Sequence, residues 1–159
     1  MKVICKTLMA IAVMLTACMS LQAQKVDTGH PDFKVKVTRC EASGKTVVID
    51  MLWENTGSKD VYITCRTYGS SAYDDEGNKF SGNGPLKIMF GNNGYYKDDL
   101  TDLLPSDLPV KVRLQIKDVP VSATMFRRVD INIYSNEWGG LDGPRILKLT
   151  NIPISHEGD

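Results

Sequence analysis

Apolar and polar side chains alternate with period two in one short segment after another from residue 33 onward, the pattern of half-buried β-strands. Residues 33–40 put Phe33, Val35 and Val37 on one face, with Cys40 falling in step with the lysines on the other. Residues 45–53 line up Val47, Ile49, Met51 and Trp53 against Val48, Asp50 and Leu52, which suits a central strand only partly open to water. Residues 60–68 place Val61, Ile63 and Cys65 opposite Tyr62, Thr64 and Arg66. The cleanest alternation sets Val110, Val112, Leu114 and Ile116 against Lys111, Arg113, Gln115 and Lys117; Val129, Ile131 and Ile133 repeat it, and Leu147 and Leu149 mark the last strand. Residues 86–90 form a short apolar strand, and residues 100–104 read equally as an edge strand or a helical turn.

Turn chemistry separates these segments. Asn55-Thr56-Gly57-Ser58 ends the second, and the arms Ala72-Tyr73 and Lys79-Phe80 flank Asp74-Asp75-Glu76-Gly77-Asn78, a hairpin signal in which Gly77 supplies the positive φ. No amphipathic helix follows the leader, so seven or eight short strands predict an all-β antiparallel sandwich, with a closed barrel as the second choice.

The first residues read as an address. Lys2 and Lys6 precede a nearly unbroken apolar run over 8–21, followed by Gln22-Ala23-Gln24: the layout of a secretory signal over 1–24, too short to cross a bilayer as an anchor. Ala23 suits ordinary signal peptidase, while Leu15-Thr16-Ala17-Cys18 resembles the lipobox of bacterial lipoproteins, with lipidation at Cys18. The apolar Met19 and Leu21 after it favour soluble export, to periplasm or medium, over an outer-membrane lipoprotein. Residues 25–32 read as a tether, residues 33–155 as a single domain, and no transmembrane segment is expected in the mature chain.

Composition narrows the functions. The 159 residues are 42% apolar, enough for one core, and 19 basic residues balance 19 acidic ones, so no basic field exists to hold nucleic acid or anionic lipid. Loss of Lys2 and Lys6 with the leader leaves two more acids than bases. Cys40 and Cys65 are the cysteines of the mature chain. A disulfide between them would contribute about 3 kcal/mol, but Cys40 looks outward and Cys65 inward unless a bulge intervenes, so a bridge and two separate thiols stand as alternatives.

The run of residues 47–56 into Asn55-Thr56-Gly57, the hairpin from Tyr73 to Phe80, and Leu104-Pro105 ahead of Pro109-Val110-Lys111-Val112 resemble a bacterial group of exported immunoglobulin-like domains of unknown function, related in fold to a secreted mycobacterial immunoprotective antigen. The resemblance spans most of residues 33–133. It implies an immunoglobulin-like sandwich, secreted or lipid-anchored, with no shared catalytic residues; the Cys and Trp spacing of antibody domains is absent.

Candidate chemistry is sparse. Asp74, Asp75, Glu76 and Asn78 offer hard oxygen ligands for calcium, with Asp98, Asp99 and Asp102 as a second acidic group, yet the spacing is not that of an EF-hand and a solvated hairpin tip explains it as well. His30 lies in the tether and His156 near the end of the chain, which leaves no histidine for a nucleophile–base pair in the body of the domain. Nothing marks one acid of a pair as buried, as glycoside hydrolysis requires. An enzyme is therefore not expected. Tyr95, Tyr96 and Trp138, beside Gly- and Asn-rich loops, suggest a platform for sugar rings or a protein, and Tyr62, Tyr68 and Tyr134 a sheet surface facing away from the core. The sequence thus points to an exported, non-enzymatic domain binding a protein or cell-envelope component. The alternative is a small carbohydrate-binding module with calcium-braced loops.

Overall fold

The computed structural model describes residues 23–82, 84–91, 96–135, 137 and 145–156. Eleven strands occur among them: β1 (Lys25–Asp27), β2 (Phe33–Ser43), β3 (Thr46–Asn55), β4 (Val61–Asp74), β5 (Lys79–Ser81), β6 (Leu86–Phe90), β7 (Asp99–Leu104), β8 (Val110–Ile116), β9 (Met125–Tyr134), β10 (Arg145–Pro153) and β11 (Ser155–His156). They form two sheets, so the chain is a sandwich. One sheet runs β1-β10-β9-β4-β5, with β7 also on β4; the other runs β11-β2-β3-β8-β6.

The order β2-β3-β8-β6 is that of immunoglobulin strands A, B, E and D, and β10-β9-β4-β5 that of G, F, C and C′. Eight strands thus make the immunoglobulin-like frame, and β1, β7 and β11 are additions that bring the described strands to eleven rather than the expected seven or eight. Residues 100–104 resolve as strand, since β7 interrupts the D–E connection to cross over and pair with β4 from Val61↔Leu104 to Arg66↔Asp99. The tether expected over residues 25–32 is corrected in part: Lys25–Asp27 adds to the edge of β10, pairing with Lys148 to Thr150. Three residues are too few to show a period, which is why the pattern missed them.

The alternating faces fill the space between the sheets. Val47, Ile49, Met51 and Trp53 of β3 meet Ile63 and Cys65 of β4 and Ile131 and Ile133 of β9, all buried in one cluster. Trp53 anchors it, edge-on to Phe33 at 5.1 Å and to Phe90 at 5.4 Å between ring centroids. The turn after β3 is held by Asn55, fully buried, whose amide donates to the Lys59 and Leu104 carbonyls at 2.7 and 3.2 Å and accepts from the Gly57 N–H at 3.0 Å.

One irregularity shapes the rest. Val37 pairs with Met51 but Arg39 with Asp50, so Thr38 is the extra residue of a bulge, fixed by its hydroxyl donating to the Asp50 carbonyl at 3.1 Å. The bulge exchanges the faces beyond it. Cys40 and Ala42 turn into the core and Arg39 turns out, contrary to the outward Cys40 read from unbroken alternation. Both cysteines are buried, and both are free thiols rather than a disulfide.

Candidate functional site

Because the bulge turns Arg39 outward, two rows of side chains cross the outer face of the β11-β2-β3-β8-β6 sheet in register. The first is Arg39–Asp50–Arg113, the second Glu41–Val48–Gln115. Asp50 is buried although it lies on the solvent side of a central strand, because its carboxylate is clamped from both flanks. Arg39 Nε and Nη2 donate to Oδ2, each at 2.9 Å, and Arg113 Nε donates to Oδ1 at 2.9 Å. Arg39 Nη1 reaches on to Glu41 Oε2 at 2.9 Å. The hydrogen bond and charge of Asp50 raise the Arg39 guanidinium further above its ordinary range.

These rows floor a groove of about 600 Å³, within the usual size of small-molecule sites. Tyr96 and Ser155 and His156 of β11 complete its walls. Tyr96 is placed by Lys97, whose N–H and carbonyl both bond Ile88 of β6 at 2.8 Å. Burial raises the Tyr96 phenol above its ordinary pKa, against the lowering field of Arg113. β11 runs parallel to β2 and is tied down by His156 Nε2 at 2.8 Å from the Ala123 carbonyl, so this histidine is docked rather than loose at the chain end.

The acidic hairpin makes a different structure from a calcium site. Asp74 is buried, and its Oδ1 accepts the Glu76 and Asn78 N–H groups at 3.0 and 2.7 Å while Oδ2 accepts Asn78 Nδ2 at 2.8 Å. Asp75 turns away to Thr124, accepting its N–H at 3.1 Å and its hydroxyl at 2.5 Å. Partial burial pushes the Asp75 carboxyl up, but these donors outweigh it and hold it below its ordinary range. Glu76 Oε2 also reaches Asn78 Nδ2, at 3.5 Å, while Asp75 faces Thr124, and among the described residues no group of three His, Cys, Asp or Glu is placed to hold a metal ion. Nor does the second acidic group join them. Asp99 pairs with Arg66, and the β9 partners of Arg66 and Asp74, Asn132 and Phe126, lie six residues apart, so about 20 Å separates the two at strand rise; Asp98 is paired with Lys87 at 2.6 Å. The four residues expected as calcium ligands, Asp74, Asp75, Glu76 and Asn78, are thus engaged with one another and with Thr124.

Of the proposed aromatic platform, Tyr96 lines the groove, while Tyr95 and Trp138 lie outside the described residues, as does Cys18. Tyr62 and Tyr68 point outward from β4, 56% and 75% exposed, and Tyr134 beside them carries the Arg66 guanidinium 5.8 Å from its ring centroid. Tyr62, Thr64, Thr101, Tyr134 and Glu137 border a smaller hollow of about 220 Å³ on that sheet. Among the described residues no helix is long and apolar enough to cross a membrane.

No family profile matches the chain, and no curated protein does. Among solved structures, it is similar to the major subunit of Myf fimbriae, MyfA, from Yersinia enterocolitica (11% identity over 77% of this chain and 98% of that one, TM-score 0.43). It is also similar to the CooA pilin subunit from enterotoxigenic Escherichia coli (8% identity, 81% and 99%, TM-score 0.39) and to a family 123 glycoside hydrolase from Clostridium perfringens (9% identity, TM-score 0.42). The match covers 84% of this chain and 26% of the hydrolase, so the chain spans about a quarter of that enzyme. The immunoglobulin-like assignment stands on the strand register itself.

Proposed function

We propose that the chain is an exported, non-enzymatic immunoglobulin-like domain that holds a cell-envelope component in the groove over β2, β3 and β8. The carrying observation is the Arg39–Asp50–Arg113 row: the one buried acid of this face is fully engaged in orienting two guanidinium groups, which is the work of a preorganised binding surface rather than of an acid–base catalyst. Export is supported by the leader pattern of residues 1–24 and by the resemblance to exported immunoglobulin-like domains.

Retention of envelope components from the source cell on the immobilised domain tests the reading. Tyr96→Ala or Arg113→Met should abolish retention of at least one component. Retention unchanged in both variants would refute it.

A second reading, a protein partner on the opposite sheet, is favoured by Tyr62 and Tyr68, whose large side chains stand exposed on one strand. It predicts loss of a cross-linked neighbour in Tyr62→Ser with the groove variants unaffected.

A further inference from the structure

The groove has a charge balance and a set of unspent hydrogen-bonding groups that together select a ligand class. Its two guanidinium groups are matched by two carboxylates, Asp50 and Glu41, within the same pair of rows. Glu41 lines the groove and Asp50 lies buried between the two arginines, so a free anion meets the Glu41 carboxylate and guanidinium charge already offset by Asp50, and a cation meets both arginines; a neutral ligand meets neither penalty. What the groove does offer is capacity left over on both sides of the hydrogen bond. Arg113 spends only Nε on Asp50, so its two Nη groups carry no bond to the described residues. The Gln115 amide, two residues further along the same face of β8, likewise has none. Glu41 uses Oε2 alone and keeps Oε1 as an acceptor.

These groups surround an apolar patch. Val48 sits between Glu41 and Gln115 in its row, which spans about 10 Å across three strands, and Tyr96 gives an aromatic wall. Planar donors and acceptors around a small apolar floor beside an aromatic side chain complement a ring with hydroxyls at its rim and C–H groups on its faces.

Resting on the groove reading above, we infer that the ligand is a neutral saccharide of one or two rings, with its hydroxyls shared among Arg113, Gln115 and Glu41 and a ring face against Tyr96 and Val48. This differs from a platform built on Trp138.

Titration calorimetry of the full chain tests it, with glucose, galactose, N-acetylglucosamine and their β1,4-linked disaccharides as probes and glucuronate and sialic acid as charged controls. At least one neutral probe should bind at concentrations up to about 10 mM, and Gln115→Leu and Tyr96→Ala should each weaken it about tenfold or more. The Gln115 side-chain amide has no hydrogen bond to the described residues, so Gln115→Leu should melt like the parent and remains informative if Tyr96→Ala misfolds. The neutral probe's affinity should hold between about 0.05 and 0.5 M salt, where attraction to a charged ligand fades. Binding by the acidic sugars alone, no binding by any neutral probe, or binding indifferent to both substitutions would each overturn the inference. If no neutral probe competes for an envelope component whose retention the groove variants still abolish, the ligand class is wrong and the groove reading survives. Should retention also ignore those variants, both fail.

Discussion

Arg39 faces Asp50 directly across the β2–β3 pair only because Thr38 is an extra residue. Without that bulge the alternation that turns Val35 and Val37 toward the core would drive the guanidinium inward and the Cys40 thiol into water. One inserted residue therefore serves packing and site together.

Asp50→Ala tests how far the site depends on this row. The variant leaves Arg39 and Arg113 facing each other without the carboxylate that separates them, and removes three charge-assisted hydrogen bonds from a buried acceptor. The expected loss is about 2 kcal/mol, read from urea unfolding. Arg39→Ala should cost less, because the Arg39 side chain is half exposed and Asp50 retains Arg113. Equal stabilities of Asp50→Ala and the parent would show that the row does not hold the sheet.

Gly69 and Gly77 share a positive φ but not a neighbourhood. A Cβ on Gly69 would stand 2.8 Å from Asn132 Nδ2, whereas one on Gly77 meets nothing within 4 Å. Alanine at Gly77 should cost about 1 kcal/mol from backbone strain, and alanine at Gly69 about 2 kcal/mol or more, since Asn132 must also move. Thermal melts of the two variants measure the difference; a reversed order would mean that the Asn132 amide yields freely.

The frame was legible because burial on one face writes itself into period two: Val47 to Trp53 and Val110 to Ile116 occupy the faces that alternation assigns, and Gly77 takes the positive φ expected of the hairpin. What escaped was non-local. The bulge at Thr38 leaves one faint local mark, Arg39 standing in the phase of Phe33, Val35 and Val37, and only the shift against the partner strand shows that the faces exchange there. Asp50 was visible as a polar residue on a mostly apolar central strand, and that oddity was the available signal for the site; its partners on β2 and β8 are fixed by register, which no single segment contains. Tyr96 was singled out as a loop aromatic, but the floor of the groove it lines comes from β2, β3 and β8, which no loop sequence reveals. The acids at 74–76 are the opposite case, a local one, and their hairpin was readable from the segment alone. Asp74 closes its own turn, a local role that uses up the oxygens a cation would need.

Trp53 presents a buried polar atom, its indole Nε1, that has no hydrogen-bond partner among the described residues. Trp53→Phe removes that unpaired donor while keeping an aromatic ring near Phe33 and Phe90, so the lost packing is partly offset and the cost should stay below about 1.5 kcal/mol. Trp53→Ala opens a cavity between the sheets and should cost about 3–5 kcal/mol. Denaturant midpoints decide it, and a Phe variant as damaged as the Ala variant would mean that the indole donor is satisfied in solution.

The two thiols predict the alkaline limb of stability. Burial pushes Cys40 from 9.0 up to about 12, with Glu41 adding to the shift, and raises Cys65 well above the same starting value. Above pH 9 the unfolded chain releases these protons while the folded chain keeps them, so the unfolded state binds fewer protons and stability must fall as pH rises. The contribution is fully present below about pH 9 and, for Cys40, declines from there to about pH 12, with a slope of at most about 1.4 kcal/mol per pH unit. Urea midpoints from pH 8 to 11 in reductant should decline in the parent and decline less in Cys40→Ala. The same burial protects both sulfurs from reagents. Iodoacetamide should label neither in the folded protein at pH 8, and both in urea without prior reduction, as intact mass would show. Labelling in urea only after reduction would establish a disulfide and remove the basis for the alkaline prediction.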